Sequence, residues 1–312
     1  MITNEKVEFK AQFDDSEEVP VIIIERDDES GSFSSTPQNN IKKPHRRWPW
    51  IAGSIAATLL LVAVALGGIL WYRYHVNIGV QISCTPEENI EKLKVQTLEH
   101  IQPEVCAVSD TILDVALNIY ELRGLRAEIS FEEPDTLDES VFLYMRCADH
   151  NDEGPKYKGS IVANGQELEN DGSTRLGYCG MVGDRTVIGI SRSDAVKDFV
   201  ISNNGSFFRQ FILVSNHELP SRFHLHGKVE RCALGRINDQ LYYIKTQNRE
   251  TLWDFADALR EYGFIDAIYI TGGNENYSYY RTADGTRHDI GDPESYPFTK
   301  WKGNVPWLVF KK

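Results

Sequence analysis

The chain has 312 residues and a formal net charge of −13 at pH 7. That length holds one medium domain plus additional segments. The negative balance excludes nucleic acid as the main partner, because a phosphate backbone requires a concentrated basic face. Of the five cysteines, Cys84, Cys106, Cys147, Cys179 and Cys232, no two have the CxxC spacing of a zinc or redox site, and no metal or other cofactor is implied. In an oxidising compartment the cysteines allow up to two disulfides with one thiol left over. Cys147 with Cys179 is the pair to test, since both sit in strand-like runs.

Residues 1–47 are rich in acids, then in Ser, Gly, Pro and Asn. Such a stretch cannot bury enough apolar surface to offset its chain entropy, so it is predicted to be a disordered acidic cytoplasmic tail. Its apolar run Val19-Pro20-Val21-Ile22-Ile23-Ile24 offers a strand to a cytoplasmic partner. Lys42, Lys43, His45, Arg46 and Arg47 follow, then Trp48-Pro49-Trp50 and an uncharged stretch over 51–70. At about 1.5 Å per residue that stretch spans roughly 30 Å, the hydrocarbon thickness of a bilayer. Trp48 and Trp50 at one end, and Trp71, Tyr72 and Tyr74 at the other, match interfacial aromatic belts.

Residues 48–74 are therefore predicted to form one transmembrane helix. A cleaved signal peptide would be shorter and would start nearer the N-terminus, and a buried core helix would carry a polar stripe. The basic residues on the N-terminal side place that terminus in the cytoplasm by the positive-inside rule. Residues beyond 75 then lie on the far side of an inner membrane, in the periplasm or outside the cell. Gly67-Gly68 gives a small-residue patch where a second helix could approach.

Residues 75–139 are predicted as a helical membrane-proximal segment. Thr85-Pro86-Glu87-Glu88 is a helix start, with Thr as N-cap and Pro at the first helical position. Pro103 ends that helix. A second helix is expected over 109–122, from the spacing of Ile112, Val115, Ala116 and Ile119, with Gly124 near its stop.

From 140 to 312 the pattern becomes short strand-like runs between turns: 141–147, 159–163, 186–190, 211–215, 232–237 and 241–245. Asn164-Gly165 is a hairpin signal. A helix over 251–260 carries Leu252, Phe255, Ala256 and Leu259 on one face and stops at Gly263, and an apolar strand over 267–270 then runs into Gly272-Gly273. The fold class is α+β: a mixed sheet with packed helices, preceded by the transmembrane helix.

Three phrases in this region stand out as a set. The first is Asn204-Gly205-Ser206-Phe207-Phe208, followed by Leu213-Val214-Ser215-Asn216-His217-Glu218-Leu219. The second is Arg231-Cys232-Ala233-Leu234-Gly235. The third is the helix over 252–264 followed by Ala267-Ile268-Tyr269-Ile270-Thr271-Gly272-Gly273-Asn274-Glu275. In order and spacing they resemble the phosphodiester glycosidase family over roughly residues 141–312. Its members carry an Asn-Gly-Gly-Phe-Phe-like turn, an Arg-Thr-Ala-x-Gly strand and an Asp-Gly-Gly-Gly strand end. Here Thr271 stands where the family has Asp, and Asn274 replaces the third Gly.

The resemblance implies an envelope-anchored domain that hydrolyses or binds a glycosyl phosphodiester or glycan. Cleaving a sugar–phosphate bond requires a carboxyl group to move protons or steady the cationic sugar. It also requires an arginine to hold phosphate through paired hydrogen bonds. Arg231 supplies the second and Glu275 stands in for the first. Asn204, Ser206, Thr271, Gly272, Gly273 and Arg281 complete the expected substrate site. The alternative is a catalytically inactive membrane-tethered scaffold or binding protein.

Other residues read more plainly. His224 and His226 would share one strand face but lack a third metal ligand. Tyr277, Tyr279 and Tyr280 serve equally as sugar-stacking groups or as packing. Trp301 and Trp307 read as core. Asn204-Gly205-Ser206 and Asn276-Tyr277-Ser278 fit the glycosylation sequon.

Overall fold

A computed structural model describes residues 48–75, 86–95, 101–147, 150–151, 154–157, 159–169, 175–220, 223, 225, 227–273, 278–291 and 306–312. The acidic tail, Cys84, His224, His226, Asn274, Glu275, Asn276, Tyr277 and Trp301 lie outside these residues. By contacts the chain divides into 1–58 and 59–312. Helix α1 (Trp48–His75) begins in the first unit and ends in the second. Over Gly53–Leu70 it is long and apolar enough to cross a membrane, and none of that surface is buried. Its Thr58 hydroxyl donates to the Ser54 carbonyl at 2.9 Å, so that polar group is satisfied within the helix.

Helix α2 (Pro86–Lys94) follows, shorter than the Pro103 stop suggests. Next come β1 (Glu104–Ile112), β2 (Val115–Arg123), β3 (Arg126–Ser130), β4 (Val141–Arg146), β5 (His150–Asn151), β6 (Gly154–Tyr157), β7 (Ile161–Ala163), β8 (Gln166–Glu169), β9 (Gly177–Val182) and β10 (Arg185–Ile190). Helix α3 (Ala195–Ser202) leads to β11 (Ser206–Gln210), β12 (Ile212–Val214), β13 (Arg231–Ile237) and β14 (Gln240–Thr246). Helix α4 (Leu252–Tyr262) leads to β15 (Asp266–Gly272), β16 (Ser278–Arg281), β17 (Arg287–Ile290) and β18 (Trp307–Lys311). The described chain is thus mostly β, with four helices.

The helix expected over 109–122 is replaced by the β1–β2 hairpin. Leu113 and Asp114 both take positive φ, 48° and 65°, the turn that reverses twisted strands in two residues. Val115, Leu117 and Ile119 alternate into one hydrophobic cluster, while Tyr120 and Leu122 enter another. A strand buried on both faces carries apolar side chains at nearly every position, and a subset of these falls by chance at helical spacing. The hairpin expected at Asn164-Gly165 does form, joining β7 to β8 with φ of 49° and 75° at those residues.

The strands make a six-stranded sheet in the order β1-β2-β14-β13-β15-β12, two five-stranded sheets, β10-β9-β11-β7-β8 and β17-β16-β4-β18-β3, and the small β5-β6 pair. Every pairing among the described strands is antiparallel, which corrects the mixed sheet. The physical reason lies in the two helical crossovers. Helix α3 carries the chain from β10 over β9 to β11, and α4 carries it from β14 over β13 to β15. Each connection skips one strand, so the strands it joins are never neighbours.

Side chains from all three larger sheets meet in one core that includes Ile129, Leu143, Ile161, Phe208, Leu234, Ile268 and Phe310. A second core lies between the outer face of the six-stranded sheet and α4, built on Leu117, Phe255, Leu259, Phe264 and Tyr269. Helix α4 forms as its sequence dictates. The Thr251 hydroxyl caps it by accepting from the Asp254 N–H at 3.0 Å, and Gly263 ends it at φ 112°. A third core holds α2 and α3 against the β9–β11 side.

Candidate functional site

Arg231 opens β13 and pairs with Gly272 near the end of β15. Its backbone N–H donates to the Thr246 hydroxyl at 2.9 Å. Its guanidinium donates from Nε to the Glu250 carbonyl at 3.1 Å and from Nη2 to the Gly227 carbonyl at 2.9 Å. The residue is 3% exposed. Among the described residues no carboxylate lies within ion-pair distance of it. A guanidinium carries five donors, and two of them are engaged among the described residues. Burying a cation beside neutral carbonyls is costly.

The ring of Tyr269 lies 5.8 Å from the Arg231 guanidinium. Tyr269 also meets Phe211, with ring centroids 6.5 Å apart, and the Arg175 guanidinium sits 4.9 Å from the Phe211 ring. Two buried arginines and two aromatic rings thus form a row, each cation close to an aromatic ring. The Phe211 carbonyl also accepts from the Tyr269 N–H at 2.9 Å, fixing the two rings in register. Arg175, Phe211 and Tyr269 were not singled out in the sequence. Their alignment depends on β12 pairing with β15 through a bulge, which residue spacing does not disclose.

Gly272 must be small. A Cβ there would stand 2.6 Å from the Glu230 carbonyl oxygen and 2.6 Å from the Tyr269 hydroxyl. Gly273 takes φ +96° and its N–H donates to the Glu230 carbonyl at 2.9 Å. The β13–β15 register shifts between Arg231 and Ala233, a bulge that turns the strand end. Thr271 is buried at 7% exposure. The structure therefore brings Arg231, Thr271, Gly272 and Gly273 together, while Glu275 lies outside the described residues. Two further acids flank Arg231: the Glu230 carboxylate lies 3.1 Å from the Lys245 ammonium, and that of Glu250 lies 3.6 Å from Lys228.

The remaining expected site residues sit elsewhere. Asn204 follows α3 at φ +53°, against the Gly165 turn. The Ser206 hydroxyl accepts from the Ile129 N–H at 3.0 Å and so stitches β3 to β11. Both belong to the end of β11 opposite Gln210, which reaches the Ile270 carbonyl at 3.4 Å. Four residues of extended chain place Ser206 about 13 Å along the strand from Gln210. Arg281 lies in another sheet and donates to the carbonyls of Val141, Thr136 and Gly285. Among the described residues no group of three or more His, Cys, Asp and Glu is placed to hold a metal ion. Cys147 and Cys179 are free thiols, fully buried in the same core.

No protein-family model matches the chain, and no curated protein matches it. Among solved structures, the chain is similar to the catalytic domain of zebrafish N-acetylglucosamine-1-phosphodiester alpha-N-acetylglucosaminidase, auto-inhibited by its pro-peptide. The identity is 15%, the match covers 70% of this chain and 86% of that one, and the TM-score is 0.47. It is also similar to a hypothetical protein from Synechocystis, at 9% identity, over 67% of this chain and 62% of that one, with a TM-score of 0.51. The second likeness is one of fold: the C-terminal part of this chain has a fold related to that of the Synechocystis protein.

Proposed function

We propose that this chain is a membrane-anchored protein whose C-terminal domain, outside the cytoplasm, binds a glycosyl phosphodiester at Arg231. The observation that carries this reading is the buried Arg231 guanidinium, held by two carbonyls and facing no carboxylate among the described residues. Its spare donors suit paired bonds to a phosphate. Tyr269 beside it offers an aromatic wall, and Gly273, where a Cβ would meet nothing within 4 Å, leaves room for close backbone approach. The order of the Asn204, Arg231 and Gly272-Gly273 phrases supports the phosphodiester-glycosidase-like reading of the ligand. The apolar surface of α1 supports a lipid environment for that helix, and the basic residues over 42–47 support a cytoplasmic N-terminus.

Cleavage would need a carboxyl group near the bound phosphate. Thr271 cannot supply it, and Glu275 is the group the sequence offers. A second reading, an inactive tethered scaffold, is favoured by the engagement of Ser206 and Arg281 with backbone groups away from Arg231.

The test uses the detergent-solubilised full chain and a methyl diester of N-acetylglucosamine 1-phosphate. Saturable binding that Arg231→Ala weakens at least tenfold supports the site, and release of free sugar adds hydrolysis. Absence of binding by the unmodified chain would leave the scaffold reading in its place.

A further inference from the structure

A second cleft, of about 500 Å³, opens between the β1–β2 hairpin and the β16–β17 hairpin. It is not an extension of the Arg231 site. Tyr120, which lines it, belongs to the core shared by the three sheets, whereas Tyr269 beside Arg231 belongs to the core under α4. The two sites therefore lie on opposite faces of the six-stranded sheet. A volume of this order suits a small ligand of a few rings.

The rings of Tyr120, Tyr280 and His288 line the cleft, and Tyr243 backs Tyr120 from within the core. Tyr243 stacks on Tyr120 at 5.5 Å with 25° between planes. Tyr120 meets Tyr280 at 5.3 Å, and Tyr280 stacks with His288 at 4.9 Å and 18°. Tyr243 and Tyr120 are buried and Tyr280 is half-buried, but His288 is exposed. The run ends at an imidazole held flat by the ring behind it. A rigid ring face of this kind receives the apolar C–H face of a pyranose.

The walls supply oriented polar groups. The Asn118 Oδ1 accepts from the Ser109 hydroxyl at 2.7 Å and from Gln247 Nε2 at 3.0 Å. These two bonds fix the amide, and its Nδ2, which has no partner among the described residues, is left for the cleft. On the other wall the Asp289 carboxylate is part-exposed and accepts from Arg287 Nη2 at 3.0 Å. A carboxylate has about four lone-pair sites and suits the hydroxyls of a polyol.

The charge balance narrows the ligand. Arg287, the arginine in the lining, is paired with Asp289, so the cleft has no excess positive charge to attract phosphate. The polar walls exclude a purely apolar guest. A neutral ring system with one apolar face and a rim of hydroxyls meets each of these conditions.

We infer that this cleft is a binding site for a neutral saccharide of one to three units, packed on His288 and held by Asn118 and Asp289. The assignment does not depend on what Arg231 binds.

The experiment is saturation-transfer NMR on the detergent-solubilised full chain. The probes are neutral mono-, di- and trisaccharides of glucose, N-acetylglucosamine, galactose and mannose at millimolar concentration. Expected is saturable transfer to at least one probe. His288→Ala and Asn118→Ala should each weaken it at least tenfold with the thermal midpoint unchanged; both side chains lie outside the cores, so both variants should fold. No transfer to any probe by the unmodified chain would overturn the assignment. Equal binding by unmodified and substituted chains would overturn it as well, since the saccharide would then be bound elsewhere.

Discussion

Arg231 and Gly272 face each other across the antiparallel pair β13–β15, at a bulge where the strand end turns. Each needs the other's form. The arginine reaches the carbonyls of Gly227 and Glu250 with its guanidinium 5.8 Å from the Tyr269 ring, and the glycine must lack a side chain for the Glu230 carbonyl and the Tyr269 hydroxyl to fit against it. The approach at Gly272 involves backbone, which cannot swing aside as a flexible side chain can. Gly272→Ala should therefore destabilise the protein by about 1–3 kcal/mol, the range for overpacking a tight site. A urea midpoint equal to that of the unmodified chain would show that the strand end is looser than described.

Arg231→Met separates binding from stability. Replacing a buried cation that has no carboxylate partner among the described residues with an apolar side chain of similar length removes a desolvation cost. It also leaves two carbonyls without their donor, at about 1–3 kcal/mol for a buried group. The two effects oppose, so the expected change in unfolding free energy is within about 2 kcal/mol of zero. Phosphodiester binding should nevertheless fall at least tenfold, as read by calorimetric titration alongside thermal melting.

Phe264 tests the α4 core. It is fully buried, stacks with Tyr262 at 5.5 Å and meets Tyr242 edge-on at 5.5 Å. Its truncation to Ala should cost about 3–5 kcal/mol, the range for a large aromatic removed from a packed site. The same ring leaves no space at Gly235, where a Cβ would lie 2.5 Å from it. Gly235→Ala should also lower the chemical-denaturation midpoint, by less than Phe264→Ala.

Cysteine chemistry gives a pH prediction. Burial pushes the thiols of Cys147 and Cys179 well above their ordinary value of 9.0, and burial does the same to the Tyr243 phenol, above 10.0. The folded state holds these protons more tightly than the unfolded chain does. The stabilisation is therefore complete below about pH 9 and is lost as pH rises beyond it, where the unfolded chain ionises first. The urea midpoint should hold up to about pH 9 and fall progressively as the pH rises above it. Alkylation of the native protein should reach half-buried Cys106 before Cys147, Cys179 or Cys232.

Much of the architecture is written locally. The cap at Thr251, the stop at Gly263 and the apolar face of α4 act within one helix, and the Asn164-Gly165 turn acts within one hairpin; such signals survive in sequence. The β1–β2 hairpin was hidden because β2 sends side chains into cores on both of its faces, which blurs the alternation that marks a half-exposed strand. The strand end at Gly272-Gly273 was legible as a turn. What it touches was not: Arg231 reaches it because α4 carries the chain over β13, and Phe211 and Arg175 join the row through a bulged pairing between distant segments. Asn204 and Ser206 share a phrase with the family resemblance, but the length of β11 carries them away from Arg231.

The most direct test of the account is the position of the phosphorus atom in crystals of the full chain grown with a methyl diester of N-acetylglucosamine 1-phosphate. The account predicts phosphate oxygens within hydrogen-bond distance of the Arg231 guanidinium and the sugar beside Tyr269 and the Gly272-Gly273 turn. A phosphodiester bound away from Arg231, with that guanidinium still engaged by the Gly227 and Glu250 carbonyls alone, would contradict it.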